Sequence, residues 1–251
     1  MEQSRSMCGR YASTRSDSDL QAVFDIAETI GAEVPPSYNV APTQTVRTVL
    51  ERPPKDEPEA DAVRQLRSVR WGLIPSWAKD AKIGSRLINA RSETITEKPS
   101  FKKAASRRRC IVPADGYYEW EKRDGAKVPY FLHDGDTGRS AGSTPGGVLA
   151  MAGLYELWRD PTKAEDDENR WVWSVTVLTS PAADALGHIH DRSPVVLPPD
   201  LRASWLDPTV TDLGAVQDML AAIPEPRLEP YEVSTAVNSV KNNSPELLTP
   251  V

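Results

Sequence analysis

The 251-residue chain reads as an α+β fold, one domain with a mostly antiparallel, barrel-like β core and a few flanking helices. Three observations point there. Roughly seven or more short strand-like stretches are separated by Gly, Pro and Asp turn signals. Only a few segments carry helical periodicity. There is no strand–helix–strand alternation, no GxGxxG and no phosphate loop, so a doubly wound parallel sheet is not expected. The chain is long enough to bury a sizeable core, and neither a repeat nor a composition break marks a second domain. Residues 1–6 read as a leader or scar, and 7–251 as a single domain.

The elements follow in order. Leu20, Val23, Phe24, Ala27 and Ile30 recur at helical spacing behind a Ser16 or Asp17 cap, which predicts a helix over 16–30 that Pro35-Pro36 bars from continuing. Residues 38–44 form a loop running into a strand at 45–50, and the acidic, Pro-rich stretch 51–61 is a solvated loop. A strand from Val69 breaks into a turn at Pro75. Pro99 and Phe101 suggest a helix start near Ser100. The basic run Lys102, Lys103, Arg107, Arg108 and Arg109 reads as its solvated end. Strands are expected at 110–112, 117–120, 128–133, 148–155, 171–179 and 231–233, with Asp115-Gly116 as a turn. Loops at 134–147 and 159–169, a helical turn at 181–186, helices at 201–206 and 216–223, and a polar tail at 237–242 complete the chain.

Composition narrows the function class. The net charge of −6 argues against a protein that coats nucleic acid indiscriminately, but leaves room for a local basic groove. Two cysteines, Cys8 and Cys110, with no CxxC pair indicate neither structural zinc nor a disulfide framework, so no metal or cofactor is expected. No apolar run reaches the ~18 residues of a membrane span, and the leader lacks the apolar core of a secretory signal. A cytoplasmic monomer is expected, nucleoid-associated if bacterial.

Cys8 follows Met7 directly. With the residues ahead of it removed, it would carry an α-amine and a thiol on adjacent carbons, with ordinary pKa values near ~8 and ~8.5. Such a 1,2-aminothiol captures an aldehyde as a Schiff base and closes on it as a thiazolidine. The bland alternative is a small buried residue at a strand start. Trp71 and Trp77 are either core or a stacking wall for bases. Period two puts Glu119 on one strand face with Tyr117, and Tyr118 and Trp120 on the other. A carboxylate among aromatics is either a surface group or a proton-transfer group with a raised pKa.

Six motifs occur in order: Met-Cys-Gly-Arg-Tyr at 7–11, Tyr-Asn-Val-Ala-Pro-Thr-Gln at 38–44, Arg-Trp-Gly-Leu-Ile-Pro-Ser-Trp at 70–77, Asn-Ala-Arg-Ser-Glu-Thr at 89–94, Arg-Cys-Ile-Val-Pro-Ala-Asp-Gly-Tyr-Tyr-Glu-Trp at 109–120 and His-Asp-Arg-Ser-Pro-Val-Val-Leu at 190–197. Together they resemble the SOS-response-associated peptidase family, the abasic-site processing proteins. The resemblance implies one α+β domain with a basic cleft for single-stranded DNA that carries an abasic site. It makes Cys8 the crosslinking nucleophile, Asn89 the residue that positions the aldehyde, and Glu119 and His190 acid/base groups. It makes Arg10, Arg91 and Arg192 phosphate contacts. It also implies possible lyase and self-processing peptidase activity. Ser193 departs from the family's usual Met, which touches a packing contact and not the chemistry. His188 and His190 share a face if extended, and Arg192 beside His190 favours the latter.

Two rivals differ in class. A cysteine hydrolase would use Cys8, His190 and a late Asn238 or Asn242, and would tolerate an N-terminal extension. A non-enzymatic single-strand binder would stack bases on Trp71, Trp77 and Tyr117 and ignore the loss of Cys8.

Overall fold

Strand pairing closes a ring in this chain. The computed structural model describes residues 9–54, 56–57, 59–135, 147–182, 189–226 and 228–251. Its elements are β1 (Arg10–Ser13), α1 (Asp17–Phe24), β2 (Glu28–Ile30), β3 (Ser37–Val40), β4 (Thr45–Arg52), β5 (Val63–Trp71), β6 (Asn89–Arg91), α2 (Lys102–Arg107), β7 (Arg109–Ala114), β8 (Gly116–Arg123), β9 (Ala126–Asp134), β10 (Leu149–Arg159), β11 (Trp171–Pro181), β12 (Arg192–Pro194), α3 (Arg202–Leu206), α4 (Leu213–Ala222) and β13 (Leu228–Glu232). The antiparallel path β11-β10-β7-β4-β5 is closed by a parallel pairing of β5 with β11, Arg70 to Ser174 and Trp71 to Val175. A five-strand barrel results, as the α+β reading expected.

Alternation fills it. Val46 and Leu50, Val69 and Trp71, Cys110 and Val112, Met151 and Tyr155, and Val175 and Val177 point inward from the five strands. Their outward neighbours Val49, Leu66, Ile111, Leu154 and Leu178 pack beneath the helices against Phe24, Ala105, Trp205 and Val216. A second sheet, β13-β9-β8-β1-β3, sends Tyr11, Tyr117 and Leu132 into the barrel's own cluster. Its other face buries Tyr118 and Phe131 with Val233, Val237 and Leu247. The alternation read for 117–120 therefore holds. Gly116 is required where β8 passes β9, because a Cβ there would lie 2.4 Å from the Phe131 ring and 2.5 Å from the Leu132 carbonyl.

Several expectations are corrected. The helix predicted over 16–30 has its Ser16 capping box, but ends at Phe24 with Asp25 left-handed at φ 51°. Residues 28–30 then form β2 and pair parallel with β5, which gives an otherwise unpaired edge its partner. Arg109, read as the solvated end of a basic run, is 2% exposed. Its guanidinium donates to the carbonyls of Trp205, Ala105 and Val210 at 2.7, 2.9 and 2.9 Å and to that of Asp207, and so ties α2 to α3. The tail at 237–242 is anchored, with Val237 fully buried. Most of the loop expected at 134–147 and of the helical turn expected at 181–186 lies outside the described residues.

Candidate functional site

β11 is the spine of the site. Its parallel partner β6 sets Asn89 against Val177 and Arg91 against Thr179, while β12 sets Arg192 against Pro181. The loop that delivers Asn89 is fixed by backbone contacts. Gly72, at φ +120°, gives its N–H to the Val175 carbonyl at 2.8 Å, and a Cβ on it would lie 2.5 Å from the Gly84 carbonyl. The Ile88 carbonyl then accepts from both the Trp71 indole and the Val177 N–H, each at 3.0 Å. Asn89 is the next residue along.

Trp71 is therefore core: it is 1% exposed, edge-on to Tyr11 at 5.1 Å, and has no face open to a base. Of the two tryptophans, Trp77 is the exposed one, at 57% on the same loop.

Arg192 is 9% exposed and grips Glu93 with both terminal nitrogens, at 2.6 and 2.8 Å. Its remaining donors reach the Thr179 hydroxyl at 3.2 Å and carbonyl at 2.5 Å. The hydrogen bonds from Arg192 bring the Glu93 pKa down to about 2. A guanidinium held this way braces Glu93 and Thr179. Arg10 also makes contacts within the protein. It donates to the Asn39 side chain at 2.9 Å and to the carbonyls of Val237 and Asn238 at 2.8 and 3.3 Å. Burial holds its pKa below the ordinary arginine value. Of the three arginines, Arg91 is the exposed one.

His190 is half-buried. Its Nδ1 accepts the Arg192 backbone N–H at 3.1 Å and lies 3.0 Å from the Asp191 carboxylate. The first contact requires a bare Nδ1 and the second a protonated one, so one proton decides which partner the ring keeps. Glu119 lies on β8, 3% exposed, opposite Tyr130 of β9. It directly follows Tyr118, the cross-strand partner of Arg10.

A small pocket lined by Arg10, Tyr11, Trp71, Tyr117, Met151 and Val177 joins the end of β1 to the strand that carries Asn89's partner. The Tyr11 hydroxyl beside it is buried with no hydrogen-bond partner among the described residues, and burial pushes its pKa up. Cys8 and His188 lie outside the described residues; Gly9, bonded to Cys8, leads directly into β1. Cys110 is fully buried with a thiol pKa raised by burial, which makes it inert.

The structure thus gathers Asn89, Arg91, His190 and Arg192 at the end of β11, with Arg10 and Glu119 on the adjoining sheet. Sequence reasoning missed two supporting residues. Glu93 sits inside the 89–94 motif, and its charge next to a motif arginine was the available signal. Asn39, 2% exposed, donates to the carbonyls of Val237, Ser239 and Asn242 at 3.2, 3.0 and 2.9 Å and pins the tail onto β1's neighbour.

A family model described as SOS response associated peptidase (SRAP) matches residues 7–240. The chain is 38% identical over 244 residues to the abasic site processing protein YoqW of Bacillus subtilis, covering 96% of this chain and 99% of the relative. It is 33% identical to the abasic site processing protein HMCES of Gallus gallus, covering 86% of this chain and 66% of the relative. Among solved structures, a protein from Bacteroides thetaiotaomicron superposes with a TM-score of 0.75 at 21% identity, over 97% of this chain and 100% of the other. A protein from Bordetella bronchiseptica superposes with a TM-score of 0.69 at 27% identity, over 90% of this chain and 100% of the other.

Proposed function

We propose that this chain, which belongs to the SOS response associated peptidase family, serves the DNA-damage response by capturing abasic sites in single-stranded DNA as a thiazolidine on Cys8. The observation that carries the reading is the position of the cysteine motif. β1 begins two residues after Cys8 and pairs with β8, the strand of Glu119, while the pocket behind β1 borders β11 at Val177, the residue paired with Asn89.

The chemistry follows from the groups. The Cys8 amine, exposed once the residues ahead of it are removed, adds to the ring-opened aldehyde. A proton delivered to the carbinolamine hydroxyl lets it leave as water and gives the Schiff base. The thiolate then adds to the same carbon, the nitrogen takes up a proton, and the five-membered ring is closed. Glu119 is the proton donor in this reading. Its burial on the sheet beside β1 keeps bulk water from competing for the transfer. Asn89 orients the aldehyde through its side-chain amide. His190, in the neutral tautomer whose Nδ1–H donates to Asp191, has a bare Nε2 that accepts a proton and so serves as base in any β-elimination of the 3′ phosphate. Trp77 supplies a stacking face and Arg91 a phosphate contact at the rim. Arg192 and Glu93 hold the His190 segment in register.

The test compares protein beginning at Cys8 with protein beginning at Met1, each mixed with abasic single-stranded DNA. Only the first is expected to crosslink, because the second has no amine on the cysteine. Equal reaction of both would favour a cysteine hydrolase, which tolerates an extension, and would sink the aminothiol mechanism.

A further inference from the structure

The barrel has two mouths. β5 and β11 run parallel, so both start at one mouth and finish at the other. At the finishing mouth lie Val177, Asn89 and Arg91. At the starting mouth lie Arg67 and Trp173, with Arg52 at the end of antiparallel β4 beside them. The span of β11 from Trp173 to Thr179 separates the two by about 20 Å.

The starting mouth is unusual in its charge. Tyr155 stacks on Trp173 with ring centroids 5.6 Å apart. The guanidinium carbons of Arg67 and Arg52 lie 4.3 and 5.1 Å from the Trp173 ring centroid. Two cations thus share one indole. Each guanidinium carries five N–H donors. Of these, the bonded one among the described residues is Arg67 Nε, which donates to the Gln65 amide oxygen at 2.9 Å. Of the nearby carboxylates, Glu51 pairs with Arg64 at 2.8 Å, while Glu28 accepts from the Gln65 amide at 2.9 Å and acts on Arg67 through its charge without a hydrogen bond to it. Burial, then the charge of Arg52, holds the Arg67 pKa below its ordinary value.

Capping a core with two arginines explains the indole contacts. It does not explain why like charges are brought together with their in-plane donors unspent. A cation–π contact offsets part of the charge and uses none of those N–H groups. Paired guanidinium forks match the oxygens of a phosphate. The same face of β11 continues to Trp171, two residues away and 46% exposed, with Arg170 over its ring at 5.8 Å. Cations alternating with an open aromatic face suit a single strand, phosphate by phosphate and base by base.

We propose that Arg52 and Arg67 form a second phosphate-binding site, at the mouth opposite Asn89 and His190, which takes a phosphodiester of a strand whose base stacks on Trp171. The proposal rests on the DNA reading only for the source of the phosphate; the geometry of the pair does not involve Cys8.

The experiment uses the full chain with Cys8→Ala, so that nothing crosslinks, with and without Arg52→Gln/Arg67→Gln. Binding of undamaged oligothymidylates of about 5 and about 25 nucleotides, short and long relative to usual single-strand site sizes, is followed by anisotropy across salt. The double change is expected to flatten the salt slope for the long oligomer by about 1.4, two contacts at about 0.7 each, and to leave the short oligomer unchanged. Inorganic phosphate alone is expected to raise the melting temperature of the Cys8→Ala parent and not that of the double variant. Without phosphate at low salt, the double variant is expected to melt at or above the parent, since a repulsion has been removed. An unchanged slope for the long oligomer with the phosphate effect lost would assign the site to free phosphate and overturn the strand. An unchanged slope with a lower melting temperature would reduce the pair to a barrel cap. Equal losses for both oligomers would merge the pair with the first mouth and overturn a separate site. If the parent binds no DNA at all, the DNA reading fails, and the phosphate arm alone decides whether the arginine pair holds an anion.

Discussion

Replacing Glu93 with Gln removes the carboxylate that Arg192 grips with two nitrogens while leaving the shape almost unchanged. Breaking a fully buried pair costs about 3–5 kcal/mol, and losing an exposed one about 0–1 kcal/mol. Here the guanidinium is 9% exposed and the carboxylate side chain 44%, so solvent screens one partner. Arg192 also keeps its Thr179 contacts. A loss of about 1–2 kcal/mol near neutral pH follows from placing the pair between those limits. The pH dependence has a definite sign. The folded pKa of Glu93 is depressed to about 2 from the ordinary 4.5. Its stabilisation is therefore present above about 4.5 and is lost as pH falls through about 2. Urea unfolding of both proteins at a series of pH values is the assay. The gap between them should be widest from pH 6 to 7 and should close between about 4.5 and about 2. Any β-elimination should slow as well, because the Arg192 N–H that holds His190 Nδ1 loses its anchor. A gap that stays constant down to pH 2.5, or no gap at all, would refute the pairing as the source of stability.

Three further outcomes are expected. Trp71→Ala should cost about 3–5 kcal/mol in chemical denaturation, whereas Trp77→Ala should leave melting unchanged and weaken single-strand affinity by about 1–3 kcal/mol. Equal melting losses in the two would contradict their opposite burial. Arg91→Ala should flatten the salt dependence of single-strand binding by about 0.7, while Arg10→Ala should instead loosen the tail and raise hydrogen exchange at 237–242. Glu119→Gln should slow single-turnover crosslinking by roughly 10²-fold. Wild-type rates in a folded variant would reduce that carboxyl to a strand residue.

What the sequence revealed and what it hid divide along physical lines. Alternation and turn residues were enough for the barrel strands and for the opposite faces of Tyr117 and Tyr118, because strand periodicity is local. The helix over 16–30 was overread because Ala27 and Ile30 fit a helical stripe equally well. What decides is the left-handed Asp25 and the open edge of β5, and both are tertiary. Arg109 was read as facing solvent and is spent on the protein's own carbonyls, and the contacts of Arg10 with the Val237 carbonyl and of Arg192 with Glu93 were equally hidden. An arginine's sequence neighbours do not reveal which oxygens a distant segment will bring. The same limit hid Asn39, whose three carbonyl acceptors lie about 200 residues away. The motifs that carry Asn89, Arg91 and Arg192 do pair along one end of β11, with His190 two residues before Arg192.

The central claim is a covalent bond between Cys8 and an abasic aldehyde, and intact mass tests it most directly. Protein beginning at Cys8 is incubated with single-stranded DNA carrying one abasic site, then heated and weighed. The expected result is one species at the summed mass of protein and DNA less one water, absent when Cys8 is replaced by Ala. A heat-stable adduct of that mass in Cys8→Ala protein, or none with Cys8 at the N-terminus, would contradict it.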